Sequence, residues 1–145
     1  LVKRQAEIEI LPLAQAEGIG VITYSPVGGG LLSGKYGTNK RPKEGRILSN
    51  AMYAKRYNDD WVFDTAGAFS NLAVSKGIHP VSLAVAWASA HPGVTSPIIG
   101  ARSKEQLALS LDSVNINMTS KLYAEITALS PAPAPATDRS EDFVK

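Results

Sequence analysis

Gly20-Val21-Ile22-Thr23-Tyr24-Ser25-Pro26-Val27-Gly28-Gly29-Gly30-Leu31-Leu32-Ser33-Gly34-Lys35-Tyr36 joins an apolar run to a glycine-rich one. The first part is rich in β-branched and aromatic residues and reads as a strand, residues 20–24, buried on both faces. Pro26 ends it, because a central strand needs the backbone donor that proline lacks. Three consecutive glycines follow, then Leu31-Leu32, Gly34 and Lys35. Glycine reaches positive φ and lets another group come close to the main chain. A strand that empties into such a loop, with a lysine behind it, is one way to cradle a phosphate. A flexible turn is the other reading of the same residues.

At 145 residues the chain fits one domain with a real core. Its 44% hydrophobic and 19% charged residues describe an ordinary soluble globular protein. The net charge is +2, with basic residues scattered among acidic ones, which is too mild to suggest nucleic acid. The absence of cysteine excludes disulfides and thiolate metal sites, and two distant histidines do not suggest a metal centre. No apolar run reaches the roughly 18 residues of a membrane span, and no signal peptide opens the chain. A cytoplasmic location is expected. The chain starts abruptly, at Leu1 in the charged segment Leu1-Val2-Lys3-Arg4-Gln5-Ala6-Glu7, and is expected to be a piece of something longer.

Upstream of the strand, residues 8–17 read as a short helix with Pro12 in the first turn and Gly18 as a left-handed stop. Downstream, residues 37–50 are polar, basic and turn-rich, and read as a long surface loop. Asp59 or Asp60 caps a helix to about Lys76, in which Val62, Ala66, Phe69 and Ala73 recur at helical spacing. Pro80 starts another over residues 81–90. There Leu83, Ala84, Val85, Ala86 and Trp87 leave little polar surface, so the helix should be buried. Ser96-Pro97-Ile98-Ile99 is a very short strand, and Ser103 with Gln106 forms a capping box for a helix to about Leu111. Thr119 caps a last helix, residues 120–129, with Leu122, Ile126 and Leu129 inward. Residues 1–130 therefore form one unit and 131–145 an extended, loosely ordered tail. Strand, loop, helices, strand, loop, helix indicates parallel β/α units, whose ligands sit at the carboxyl ends of the strands. Both glycine-bearing loops should face that side.

Two ordered motifs then match a known family. Tyr24-Ser25-Pro26-x-x-x-Gly30-Leu31-Leu32-x-Gly34-Lys35-Tyr36 resembles the seventh-strand loop of the aldo-keto reductases. Pro97-Ile98-Ile99-Gly100-Ala101-Arg102-Ser103-x-Glu105-Gln106-Leu107 resembles the loop after their eighth strand. The interval, with Ala84-x-Ala86-Trp87 and His91-Pro92-Gly93-Val94-Thr95, is also similar. The resemblance implies the C-terminal part of a (β/α)8 (TIM) barrel that binds NADP(H) across its rim and, in the parent enzyme, reduces aldehydes or ketones to alcohols. Tyr24 matches the aromatic residue that stacks on the nicotinamide. Ser25, Val27, Gly28 and Gly30 match the loop that meets pyrophosphate and ribose. Lys35 matches a phosphate-pairing lysine of some branches, and Arg46 an arginine nearby. Gly100, Ala101, Arg102 and Gln106 match the 2′-phosphate site. Physical chemistry agrees there, since a helix start offers unpaired amides and Arg102 a planar fork of donors.

This chain departs from the family in two places. Where the family usually has Glu-Asn after that glutamine, Leu109-Ser110 stands here, and Ser110 can donate only one hydrogen bond toward adenine. The catalytic Asp, Tyr, Lys and His lie in the first half of the family's barrel, before anything in this sequence, so the chain carries no catalytic residue. A complementary N-terminal half-barrel, or self-association, is expected to cover the open strand edges. The alternative is a non-catalytic half-barrel that binds a dinucleotide or only a partner. Tyr53, Tyr57 and Tyr123 read as packing or surface residues, and His79 and His91 as structural. Trp87 belongs in the core and Trp61 near the rim. Lys40, Arg41, Lys43 and Arg46 read as a solvated loop.

Overall fold

Apolar periodicity in two central helices builds the core. The computed structural model describes residues 1–134. Helix α4 (Asp60–Ser75) turns Val62, Ala66, Phe69 and Ala73 inward, all fully buried. Helix α5 (Pro80–Ser89) buries every residue from Ser82 to Trp87, as its composition requires. Between them and the glycine loop lie Leu31 and Leu32, which immediately follow the glycines and are also buried. The core thus backs directly onto the candidate phosphate loop. Trp87 joins this core and donates from Nε1 to Thr127 Oγ1 at 3.0 Å while stacking on Tyr123.

Strands β1 (Ile22–Tyr24) and β2 (Ser96–Ile98) pair in parallel, with Ile22 opposite Ser96 and Tyr24 opposite Ile98. The strand expected over 20–24 is shorter at its start, and it is not buried on both faces. Ile22 is 67% exposed and Tyr24 72%, while Thr23 is half-buried. Alternate residues point to opposite faces. Helix α5 packs against β2, Thr23 and Pro97 are half-buried, and Ile22, Tyr24, Ser96 and Ile98 share the open face.

The short helix α1 (Ile10–Ala16) follows a 3₁₀ turn over Gln5–Glu7, and Gly18 then takes φ +64 as expected. The expected surface loop over residues 37–50 needs a larger correction. Helices α2 (Arg46–Ser49) and α3 (Ala51–Arg56) occupy its end and the residues after it. Asn50 Oδ1 accepts from the backbone N–H of Met52 and Tyr53 and so caps α3. Ile47 and Tyr36 are buried beneath these helices' side of the core. Arg41 is not merely solvated either, because its guanidinium lies 3.5 Å from the Phe63 ring centroid and donates to the Gly37 carbonyl.

Asp59 does occupy the N-cap of α4, but its side chain makes no capping bond. His79 Nδ1 accepts from the N–H of Val81, and His91 Nδ1 from that of Gly93. Both histidines are therefore structural. Helix α6 (Lys104–Leu111) starts at Ser103, whose Oγ accepts from the N–H of Gln106. The reciprocal bond is shifted by one residue, since Gln106 Oε1 accepts from the N–H of Arg102 rather than of Ser103. Ser103→Ala is expected to cost about 1 kcal/mol, as N-cap losses do, in urea unfolding. Helix α7 (Ser120–Thr127) is capped by Thr119 and buries Ile126, with Leu122 and Leu129 half-buried. Residues 131–134 have no regular structure, and the rest of the expected tail lies outside the described residues.

Candidate functional site

Because Tyr24 pairs with Ile98, the loops after β1 and β2 leave from the same end of the sheet. Tyr24 presents an exposed ring on the open face. The next residue, Ser25, has φ +57, the only positive φ at a non-glycine among the described residues. Such a conformation is disfavoured for a side-chain-bearing residue and persists only where its surroundings hold it. Here the Ser25 carbonyl accepts from the N–H of Gly28 at 2.8 Å, closing the turn out of the strand.

The glycines have distinct tasks. The N–H groups of Gly28 and Gly30 bond to Ser25 and Val27 carbonyls within the loop, so these two amides are not aimed at a ligand. A Cβ on Gly28 would stand 2.8 Å from Val2 Cγ2, and one on Gly29 2.8 Å from the Tyr53 ring. These two admit neighbouring side chains. Gly30, at φ +105, has nothing within 4 Å of such a Cβ, so its surface is open to a ligand. Val27 is half-buried, and its side chain packs against the core.

Three cations surround this loop. Lys35 is exposed just beyond it. Arg46 and Arg56 place their guanidiniums 5.4 Å and 5.6 Å from the Tyr53 ring centroid. Tyr53 and Tyr57 pack as a tilted pair over Gly29. Burial pushes the Tyr57 hydroxyl above the ordinary tyrosine range, with Arg56 pulling it back. This aromatic and cationic platform was only partly anticipated. Tyr53-x-x-Arg56-Tyr57 has helical spacing that could have revealed it, but the residues were read singly. Sequence reasoning missed Arg56 and Lys3 altogether.

The second loop presents Gly100, Ala101 and Arg102, all exposed, at the start of α6. Among the described residues Arg102 has no ion-pair partner, and Gln106 is exposed beside it. Ser110 does not join them. It is 4% exposed on the side of α6 that packs on α5, so its expected reach toward adenine is corrected: the helix turns it inward. Tyr24 and Ser25 also line a cavity of about 680 Å³, together with Lys3, Arg56 and Tyr57.

The donor set suits a phosphorylated dinucleotide. Residues 25–37 and 99–103 contain no carboxylate, and they carry Lys35 and Arg102, with Arg46 alongside. Among the described residues no cluster of histidine and carboxylate side chains could hold a metal ion, and no helix is long and apolar enough to cross a membrane.

Parallel β/α units with two such loops at one end match part of a (β/α)8 barrel. The aldo/keto reductase family profile matches residues 1–131, and the chain belongs to that family. An uncharacterized oxidoreductase YrpG of Bacillus subtilis is 32% identical across 94% of this chain and 40% of its own length. Protein tas of Escherichia coli is 29% identical across 89% of this chain and 37% of its own. A probable voltage-gated potassium channel subunit beta of Arabidopsis thaliana is 33% identical across 79% of this chain and 35% of its own. The chain therefore spans well under half the length of these relatives.

Proposed function

We propose that this chain forms the cofactor-holding side of an NADP(H)-dependent reductase of aldehydes and ketones. One observation supports the reading above others: two loops free of carboxylates leave paired parallel strands at the same end, one bearing Lys35 and the other Arg102. Tyr24 offers a flat face to the nicotinamide and leaves the ring's other face open to substrate. The Ser25 hydroxyl, Lys35 and Arg46 hold the pyrophosphate, with the open surface of Gly30 allowing its approach. Arg102 and the exposed start of α6 hold the 2′-phosphate, with Gly100 leaving room beside them and Gln106 fixing the Arg102 amide. When bound, NADPH supplies the hydride that a carbonyl carbon accepts. The accompanying proton comes from the part of the barrel that the family's catalytic residues occupy, which this chain does not match. The remaining strands, in the same molecule or a partner chain, cover the open face at Ile22 and Ile98 and leave the Tyr24 ring to the cofactor. A cytoplasmic setting suits such an enzyme.

In the whole protein, Arg102→Ala is expected to weaken NADPH binding by about 1–3 kcal/mol, a lost charge-assisted bond, while NADH binding changes little. Fluorescence titration of both cofactors checks this. Equal losses would remove the 2′-phosphate assignment. NADPH binding with no carbonyl reduction would favour the second reading, a non-catalytic dinucleotide-binding subunit, and no binding at all a partner-binding one.

A further inference from the structure

Tyr36 ends the glycine-rich stretch, and the cofactor reading gives it no task. Its side chain is 3% exposed, and its ring packs on Phe63 of α4 with centroids 6.3 Å apart and planes tilted by 44°. The hydroxyl reaches the backbone further along the chain, where a Cβ on Gly45 would collide with it. Gly45 has φ 169, an extended backbone that any residue adopts, so the hydroxyl rather than the conformation calls for glycine there. Burial raises the pKa of this hydroxyl, and the Ile47 backbone and then Arg41 pull it back. The group thus lies against the start of α2, whose first residue is Arg46. Gly45 is the N-cap of that helix and has no side chain to fix its start. The segment between Tyr36 and Gly45 is fastened as well. Gly37 crosses α4 at Gly67, where a Cβ on either glycine would stand within 3.5 Å of the other's Cα. Arg41 covers the Phe63 ring, and Lys40 Nζ donates to the Gly34 carbonyl at 2.8 Å. Neither strand contributes to this arrangement, which α4 and the glycine loop support without the open strand edges.

Arg46 needs such support. An arginine holds an anion best where its planar fork is already aimed, because ordering a long side chain on binding has an entropic cost. The Tyr53 ring, with its centroid 5.4 Å from the guanidinium, steadies the far end of the side chain, and the backbone at Gly45 steadies its base. We propose, resting on the reading of Arg46 as a pyrophosphate ligand, that Tyr36 is its positioning residue: the hydroxyl, braced by Phe63, sets the backbone from which the guanidinium reaches the cofactor. Tyr36 itself is buried and touches no cofactor atom.

The test uses the whole protein and a fluorescence titration with NADPH. Tyr36→Phe keeps the ring on Phe63 and removes only the hydroxyl. It is expected to raise the Kd for NADPH by roughly 3- to 10-fold. Arg46→Gln is expected to raise it by roughly 10- to 100-fold, and adding Tyr36→Phe to Arg46→Gln should raise it no further. Gly45→Ala, whose Cβ pushes on the hydroxyl, should weaken binding more in wild type than in Tyr36→Phe. A tyrosine that only filled the core would move neither comparison. NADPH binding unchanged in Tyr36→Phe overturns the proposal. So do additive losses in the double variant with Arg46→Gln, or equal losses from Gly45→Ala in the two backgrounds, because the tyrosine would then act independently of Arg46 and Gly45. Unchanged binding in Arg46→Gln removes the pyrophosphate role and the proposal with it, and leaves the reductase reading standing. Wild type that binds no NADPH overturns that reading itself.

Discussion

Phe69→Ala is expected to destabilise the fold by about 3–5 kcal/mol, seen as a lower urea midpoint at unchanged slope. The ring is fully buried at the middle of α4. It belongs to a cluster that includes Leu31 and Leu32 from the glycine loop, Leu83 from α5 and Ile126 from α7. Truncation leaves a cavity that four separate segments would have to close together, and close-packed interiors relax only partly. Val74 on the same helix is 72% exposed and supplies the control. Val74→Ala should change stability by no more than about 0.5 kcal/mol. If the two variants differed by less than about 1 kcal/mol, α4 would not face the core as described. Because Leu31 and Leu32 follow the glycines directly, Phe69→Ala should also loosen the glycine loop.

How far the sequence could be read depended on whether the cause lay nearby in the chain. In α4 and α5 the apolar period is itself the cause of burial, so Val62, Ala66, Phe69 and the run from Leu83 to Trp87 were legible. Ser103 and Thr119 announce their helices because a cap acts within three residues. Helices α2 and α3 were not legible. Their stability comes from Ile47 and Tyr57 packing into a core built elsewhere, and a polar run precedes them. The exposure of Ile22 and Tyr24 was misread because a strand that lines a barrel has the same composition whether or not other strands face it. At the site, the glycine run and the Ser103 helix start were visible as motifs. Which glycine stays open was not, since Gly28 and Gly29 are filled by Val2 and Tyr53. Ser110 was placed by its position in a motif, which carries no information on how α6 packs on α5: Leu107 and Leu111 are exposed and Ser110 is buried.

Gly29→Ala is expected to cost about 2–4 kcal/mol and to disturb the site, whereas Gly18→Ala costs only about 1–2. The two glycines have nearly the same backbone, φ +66 and +64, so the left-handed penalty for an L residue is shared. Their surroundings differ. A Cβ at Gly18 meets nothing within 4 Å, while one at Gly29 falls 2.8 Å from Tyr53 Cδ1 and 2.9 Å from Cε1. The ring must move, and it packs against Tyr57, which is itself buried. The difference between the two variants therefore isolates the cost of displacing the aromatic pair. Since the Tyr53 face holds Arg46, Gly29→Ala should weaken NADPH binding as well as stability, while Gly18→Ala leaves binding alone. Urea unfolding and NADPH titration of both variants give the two readings. Equal losses of stability would mean that the ring yields freely, and Arg46 would then lack the rigid seat on which its proposed phosphate role depends.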